Sequence, residues 1–178
     1  MWPVENATFA LGLKRYGFDD LVERLVTAQF AAAGYFHELR LPESLGGHGR
    51  DEAPAPTLYP GSNSPQAWSA SAVVLLVQAM LGLFPFAPAR LLALVRPRLP
   101  SWIDFLELAR LRVGDGLVTL RFFRRRDGTT AHEVVERSGR VRVVSAPPPN
   151  APDGEERRPL ERLKACLLYT SPSPRDRG

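Results

Sequence analysis

Residues 64–83 read SPQAWSASAVVLLVQAMLGL, and the fold turns on how this stretch is read. Ser64 and Pro65 offer an N-cap and first-turn pair, and Gly82 offers a left-handed stop, so the spacing predicts a helix from Gln66 to about Leu81. Nearly every side chain from Ala67 to Phe86 is apolar. A helix apolar all round is either buried in a large helical core or set in a membrane. Arginines at 90, 96 and 98 and the acids Asp51 and Glu52 flank the run on opposite sides, as a spanning segment requires. Against a span stand Gln78, the serines at 69 and 71, and the break at Gly82. The core reading is the expectation, with a membrane-tethered protein as a rival.

Working outward, Asn6 is placed to cap a helix ending near Arg15, where Gly17 stops it. Asp20 with Glu23 has the spacing of a capping box for a second helix. Its residues Leu21, Val22, Leu25, Val26, Phe30 and Ala33 share one face. Between this helix and the next, Gly34 to Ser64 is polar and irregular. Helix connections usually take about two to eight residues, and loops beyond about fifteen are mostly functional or disordered. From Ile103 the pattern alternates: FLELARLRV, LVTLRFFRR, AHEVVERS and RVRVV are separated by Gly114-Asp115-Gly116, Asp127-Gly128 and Ser138-Gly139. These are strands of an antiparallel sheet joined by hairpin turns.

The chain has 178 residues, 44% hydrophobic and 24% charged, with a net charge of +4, enough for one core plus an appendage. Its arginines are scattered, and the run Arg124-Arg125-Arg126 ends a strand, so no nucleic-acid partner is expected. The start MWPVEN has neither a basic leader nor an apolar segment, and a cytoplasmic setting is the expectation. The single cysteine, Cys166, opens CLLYTSPSPRD, which matches a translated transposase-type sequencing adapter. Residues 166–178 are therefore set aside; their two arginines and one aspartate carry one unit of the net charge.

The long loop holds the candidate chemistry. In RLPESLGG (40–47), Glu43 stands between Pro42 and a glycine pair. His37, Glu38, His48, Asp51 and Glu52 follow the pattern of solvated loop charges. Two histidines eleven positions apart on a loop do not make a metal site, and no P-loop or GxGxxG accompanies Gly46, Gly47 and Gly49. No metal or cofactor is expected.

Three segments then carry a resemblance. WPVENATFALGLKRYGF (2–18), RLPESLGG (40–47) and YPGSNSPQAWSASAVVLLVQAMLGL (59–83) resemble ordered motifs of bacterial glycogen-debranching, amylo-α-1,6-glucosidase-like proteins. RPRLPSWIDFLELARLRVGDGLVTLRF (96–122) is similar to the sheet region closing those chains. The family belongs to the (α/α)6-toroid glycoside hydrolases. The resemblance implies a mainly α chain with a β appendage: residues 1–100 as the last helical hairpins of a six-hairpin toroid, 101–145 as an antiparallel sheet, 146–165 as a linker. It implies an inverting hydrolase of α-linked glucans or oligosaccharides, with Glu43 as the catalytic base and the general acid upstream. Trp2, Glu5, Asn6, Tyr59, Gln66 and Trp68 would contact the sugar. Glu5 replaces the family's usual Asp and Asn63 its usual Cys. The alternative is a non-catalytic carbohydrate-binding or interaction module.

Overall fold

The computed structural model describes residues 1–49 and 51–150. Three long helices come first: α1 (Pro3–Tyr16), α2 (Asp19–Ala33) and α3 (Ala67–Leu81). Six strands follow: β1 (Leu83–Phe86), β2 (Leu91–Val95), β3 (Phe105–Val113), β4 (Gly116–Arg124), β5 (Thr130–Ser138) and β6 (Arg142–Ala146). The adapter-like residues 166–178 lie outside the described residues.

This overturns the expected fold class. The chain is not a fragment of an (α/α)6 toroid: strands occupy nearly as much of it as helices, and no further helical hairpin follows α3 within the described residues. The reason begins at Gly82. Its φ of +60° ends α3, its N–H bonds back to the Ala79 and Gln78 carbonyls, and the next residue already starts β1. β1 runs antiparallel to β2, and β6 pairs with β2 in parallel, giving the order β1-β2-β6. All five residues of β2, LLALV, are buried. A strand covered on both faces has no polar alternation, so it looks like a continuation of the apolar helix.

The second sheet follows the turn signals. β3, β4 and β5 form an antiparallel meander, with register shifts between Leu108 and Leu111 and between Thr119 and Leu120. The fourth expected strand, however, leaves the meander to become β6. Ala7 and Ala10 of α1, Val22 and Val26 of α2, Ala72, Leu76 and Ala79 of α3, Leu92 and Leu94 of β2, and Leu120 and Phe122 of β4 share one core. One face of α3 is thus covered by α1 and by sheet residues, while Trp68 and Val74 stay exposed. No helix among the described residues is long and apolar enough to cross a membrane.

The helix starts also differ from expectation. Trp2 is the N-cap of α1, with Pro3 in the first turn, so Asn6 lies inside the helix. α2 begins at Asp19 after Phe18, and no capping box forms because Asp20 and Glu23 both pair with Arg98. Asp19 is buried instead, bonded at 2.7 Å to the Lys14 ammonium and at 2.9 Å to Arg96. Burial holds the Lys14 pKa below its ordinary value, against the opposing pull of Asp19.

Two glycines make a paired test of this backbone. A Cβ at Gly82 would run into the Val95 carbonyl, and the positive φ adds strain. Gly82→Ala should cost about 3 kcal/mol or more in urea unfolding. Gly12, inside α1, has open space around it. Gly12→Ala should instead stabilise by about 0.5–1 kcal/mol. Equal effects from both would mean that neither environment is as described.

Candidate functional site

The loop from Gly34 to Ser64 is irregular but closely anchored. After a 3-10 turn at His37–Leu39, the chain from Glu43 to Gly46 runs beside Thr57 to Asn63. Glu43 donates its N–H to the Asn63 carbonyl at 2.8 Å, Gly46 to Thr57 at 2.8 Å, and a bridge joins Leu45 to Leu58. Leu41 and Leu45 are buried against Ala32 and Ala33 at the end of α2. Ser62 reinforces the pairing, its hydroxyl accepting from the Ser44 N–H at 2.8 Å and donating to the Ser44 carbonyl at 3.1 Å.

Two helix starts close on this ladder. The Ser69 hydroxyl of α3 donates to the Pro42 carbonyl at 2.7 Å, one residue before Glu43. The Leu45 N–H donates to the Met1 carbonyl at 2.8 Å, one residue before Trp2. The first turns of α1 and α3 therefore flank the Glu43 segment. There Trp2 and Trp68 meet edge to face, with ring centroids 5.4 Å apart at 75°, and both keep over a third of their surface exposed. That geometry suits aromatic quadrupoles, and it leaves ring area free for a ligand.

Glu43 is partly buried as a residue, while its carboxylate makes its bonds at the exposed surface and is held from one side. Its Oε2 accepts from the Asn63 backbone N–H at 3.1 Å and from the Asn63 side-chain amide at 2.8 Å. Oε1 has no hydrogen-bond partner among the described residues. One oxygen fixes the orientation, and the other is left for water or a ligand hydroxyl.

The other expected ligands fare differently. Tyr59 lies on the same ladder with an exposed ring, its N–H directed to the Ser44 carbonyl. The Gln66 side chain accepts from the Ala67 N–H and so serves as the N-cap of α3. Glu5 is exposed in the first turn of α1, where a carboxylate favours the helix dipole. The Asn6 amide nitrogen is buried without a partner among the described residues. So is the Gln29 carbonyl oxygen, on a side chain of α2 whose amide nitrogen approaches the Met1 sulfur. Unsatisfied buried polar atoms of this kind call for a partner of their own.

In the sequence, Asn63 stands out only as a departure from the family pattern and Ser69 only as a polar residue in an apolar helix; neither points to a part in positioning Glu43. Linear spacing does not say which backbone residues 61–63 face twenty positions earlier. Four other charged or titratable loop residues stay at the surface: Arg40 pairs with Glu38 and His48 with Glu52. Among the described residues, no three histidine, cysteine, aspartate or glutamate side chains are grouped to hold a metal. No protein-family model matches the chain, and no curated protein shows significant similarity to it, so the family resemblance rests on its motifs alone.

Proposed function

We propose that the Glu43–Asn63 pair and the Trp2–Trp68 pair form a glycan site, with Glu43 the water-activating base of an inverting hydrolysis of α-linked glucans. The observation that supports it best is the oriented carboxylate on a segment tied to the two helix starts that carry an exposed aromatic pair. A pyranose ring presents a C–H face that packs on indole, and its hydroxyls need acceptors such as the free Glu43 oxygen. Inversion needs a second carboxyl group about 6.5–9.5 Å from the base to protonate the leaving oxygen. The resemblance assigns that acid to a residue outside this segment. Asn63 leaves one lone-pair-bearing oxygen unengaged, as a base requires.

A second reading has its own support. Asn63 donates twice to Glu43, so the carboxylate also acts as a clasp between residues 43 and 63. A carbohydrate-binding module without catalysis would use it in this way alone.

Titration with a maltooligosaccharide, followed by tryptophan fluorescence, tests the shared part of both readings. Trp68→Ala should weaken binding by about tenfold or more, as loss of an aromatic platform does. Trp102→Ala, away on the α2 side where its indole N–H meets Thr27 at 3.1 Å, should leave affinity unchanged. Saturable binding that ignores Trp68→Ala would remove the aromatic pair from the site, and no saturable binding at all would remove the glycan reading.

A further inference from the structure

A groove of about 640 Å³ lies between the two sheets, and Glu43 is not among its lining residues. Its walls are β2 and β6 of one sheet and the start of β5 in the other. Leu94, Ala131 and Ala146 give it an apolar floor, while Arg96, Arg125, Thr130, His132 and Ser145 supply polar groups. No carboxylate of the described residues lines it. The size and the mixture, apolar walls with a few convergent polar groups, are those of a small-molecule site.

The charges are unevenly committed. Arg96 pairs through its Nε with Asp19 at 2.9 Å, which leaves its terminal nitrogens for other acceptors. Arg124 is bound to Asp104 and to the carbonyls of Leu99, Pro100 and Ile103. Its neighbour Arg125 forms no ion pair with a described residue. Thr130 accepts from the Leu99 N–H at 2.8 Å, so its own hydroxyl hydrogen is free to donate. His132 packs against Phe122, ring centroids 6.2 Å apart, which fixes the imidazole at the groove wall. Burial, and then the nearby Arg125 charge, hold its pKa below the ordinary histidine value.

We propose that this groove binds a small molecule bearing an oxyanion, a phosphate or a carboxylate, through the Arg125 guanidinium with Thr130, His132 and Ser145. Guanidinium groups match such anions with paired N–H donors, and charge-assisted bonds of this kind are the strong ones. The apolar floor would take the uncharged part of the ligand.

The test uses the full chain and follows the His132 ring signals by NMR, with His37 and His48 as internal references. Inorganic phosphate and acetate are titrated separately at ionic strength matched with chloride. Saturable movement of His132 alone is expected with one of the two anions, and which one identifies the group. Arg125→Gln should weaken that binding by about tenfold or more, the loss expected for a charge-assisted bond. Arg125→Lys should retain part of it, and Arg126→Gln, outside the groove, should change nothing. The proposal is overturned if neither anion gives saturation, if chloride reproduces the shift, or if Arg125→Gln binds as tightly as the parent.

Discussion

Asp19→Ala should lower the unfolding free energy by about 3–5 kcal/mol, the usual cost of leaving a buried charge without its partner. Lys14 is only 1% exposed, and Asp19 holds both its ammonium and the Arg96 guanidinium. The Lys14 Nζ keeps one other bond, to the Arg96 carbonyl at 2.6 Å, which does not neutralise it. Arg96 is half exposed and can turn to water; Lys14 cannot. The double variant Lys14→Met, Asp19→Ala should therefore be more stable than Asp19→Ala alone, since it removes the stranded cation. The pH dependence has a definite sign. A lysine whose folded pKa lies below its unfolded value is favoured by the fold when neutral. Between the two values the unfolded chain holds more protons, so stability gains from Lys14 as pH rises through that alkaline window. Lys14→Met should abolish this gain. Urea melts at several pH values measure both effects, and a double variant no better than Asp19→Ala would show that the pair is not coupled.

Glu43→Gln carries the largest expected effect on activity. Glutamine keeps the shape, and its carbonyl oxygen still accepts both Asn63 bonds, so the clasp between residues 43 and 63 survives. What disappears is the basic oxygen. Under the proposed mechanism kcat should fall by about 10² to 10⁴, with KM within a few-fold because ground-state contacts persist. The assay uses an α-1,6-branched glucan and an enzyme that includes the protonating acid. Azide added to Glu43→Ala should restore part of the turnover and give the β-glycosyl azide from an α-glycoside. Unchanged turnover in Glu43→Gln would discard the base and leave the clasp, which is the binding-module reading.

The sequence was informative wherever a signal is local. Gly17 and Gly82 mark the ends of α1 and α3 because a left-handed residue is required at those points, and glycine meets the need. The glycine-bearing turns mark β3 to β5 because hairpins are closed by neighbours in the chain. What failed depends on partners far away in sequence. LLALV has no periodicity, since Leu92 and Leu94 join the main core while Ala93 and Val95 are buried in a second cluster with Ala146; β2 therefore passed for part of a helical region, and the toroid itself came from the resemblance. RVRVV has the alternation of a meander strand, yet its partner is β2 rather than β5. Lys14 looks like a surface residue of an amphipathic helix until Asp19 and the Arg96 carbonyl are set beside it. The loop's length drew attention to Glu43. Its orientation came from Asn63, and no spacing rule links the two.

The parallel pairing of β2 with β6 has a consequence for how the chain reaches its native state. During synthesis β2 emerges with β1, but the strand that covers its other edge arrives only after the entire β3–β5 meander. Until then an apolar strand offers a row of open backbone groups to any neighbouring chain. The meander can form early from local contacts, whereas joining β6 to β2 closes a long loop, which is the slow kind of step. The helical and strand regions are consequently interlocked in time as well as in space. A chain ending before Arg142 would hold all three helices and a complete meander, and it would still present β2 as a template for aggregation.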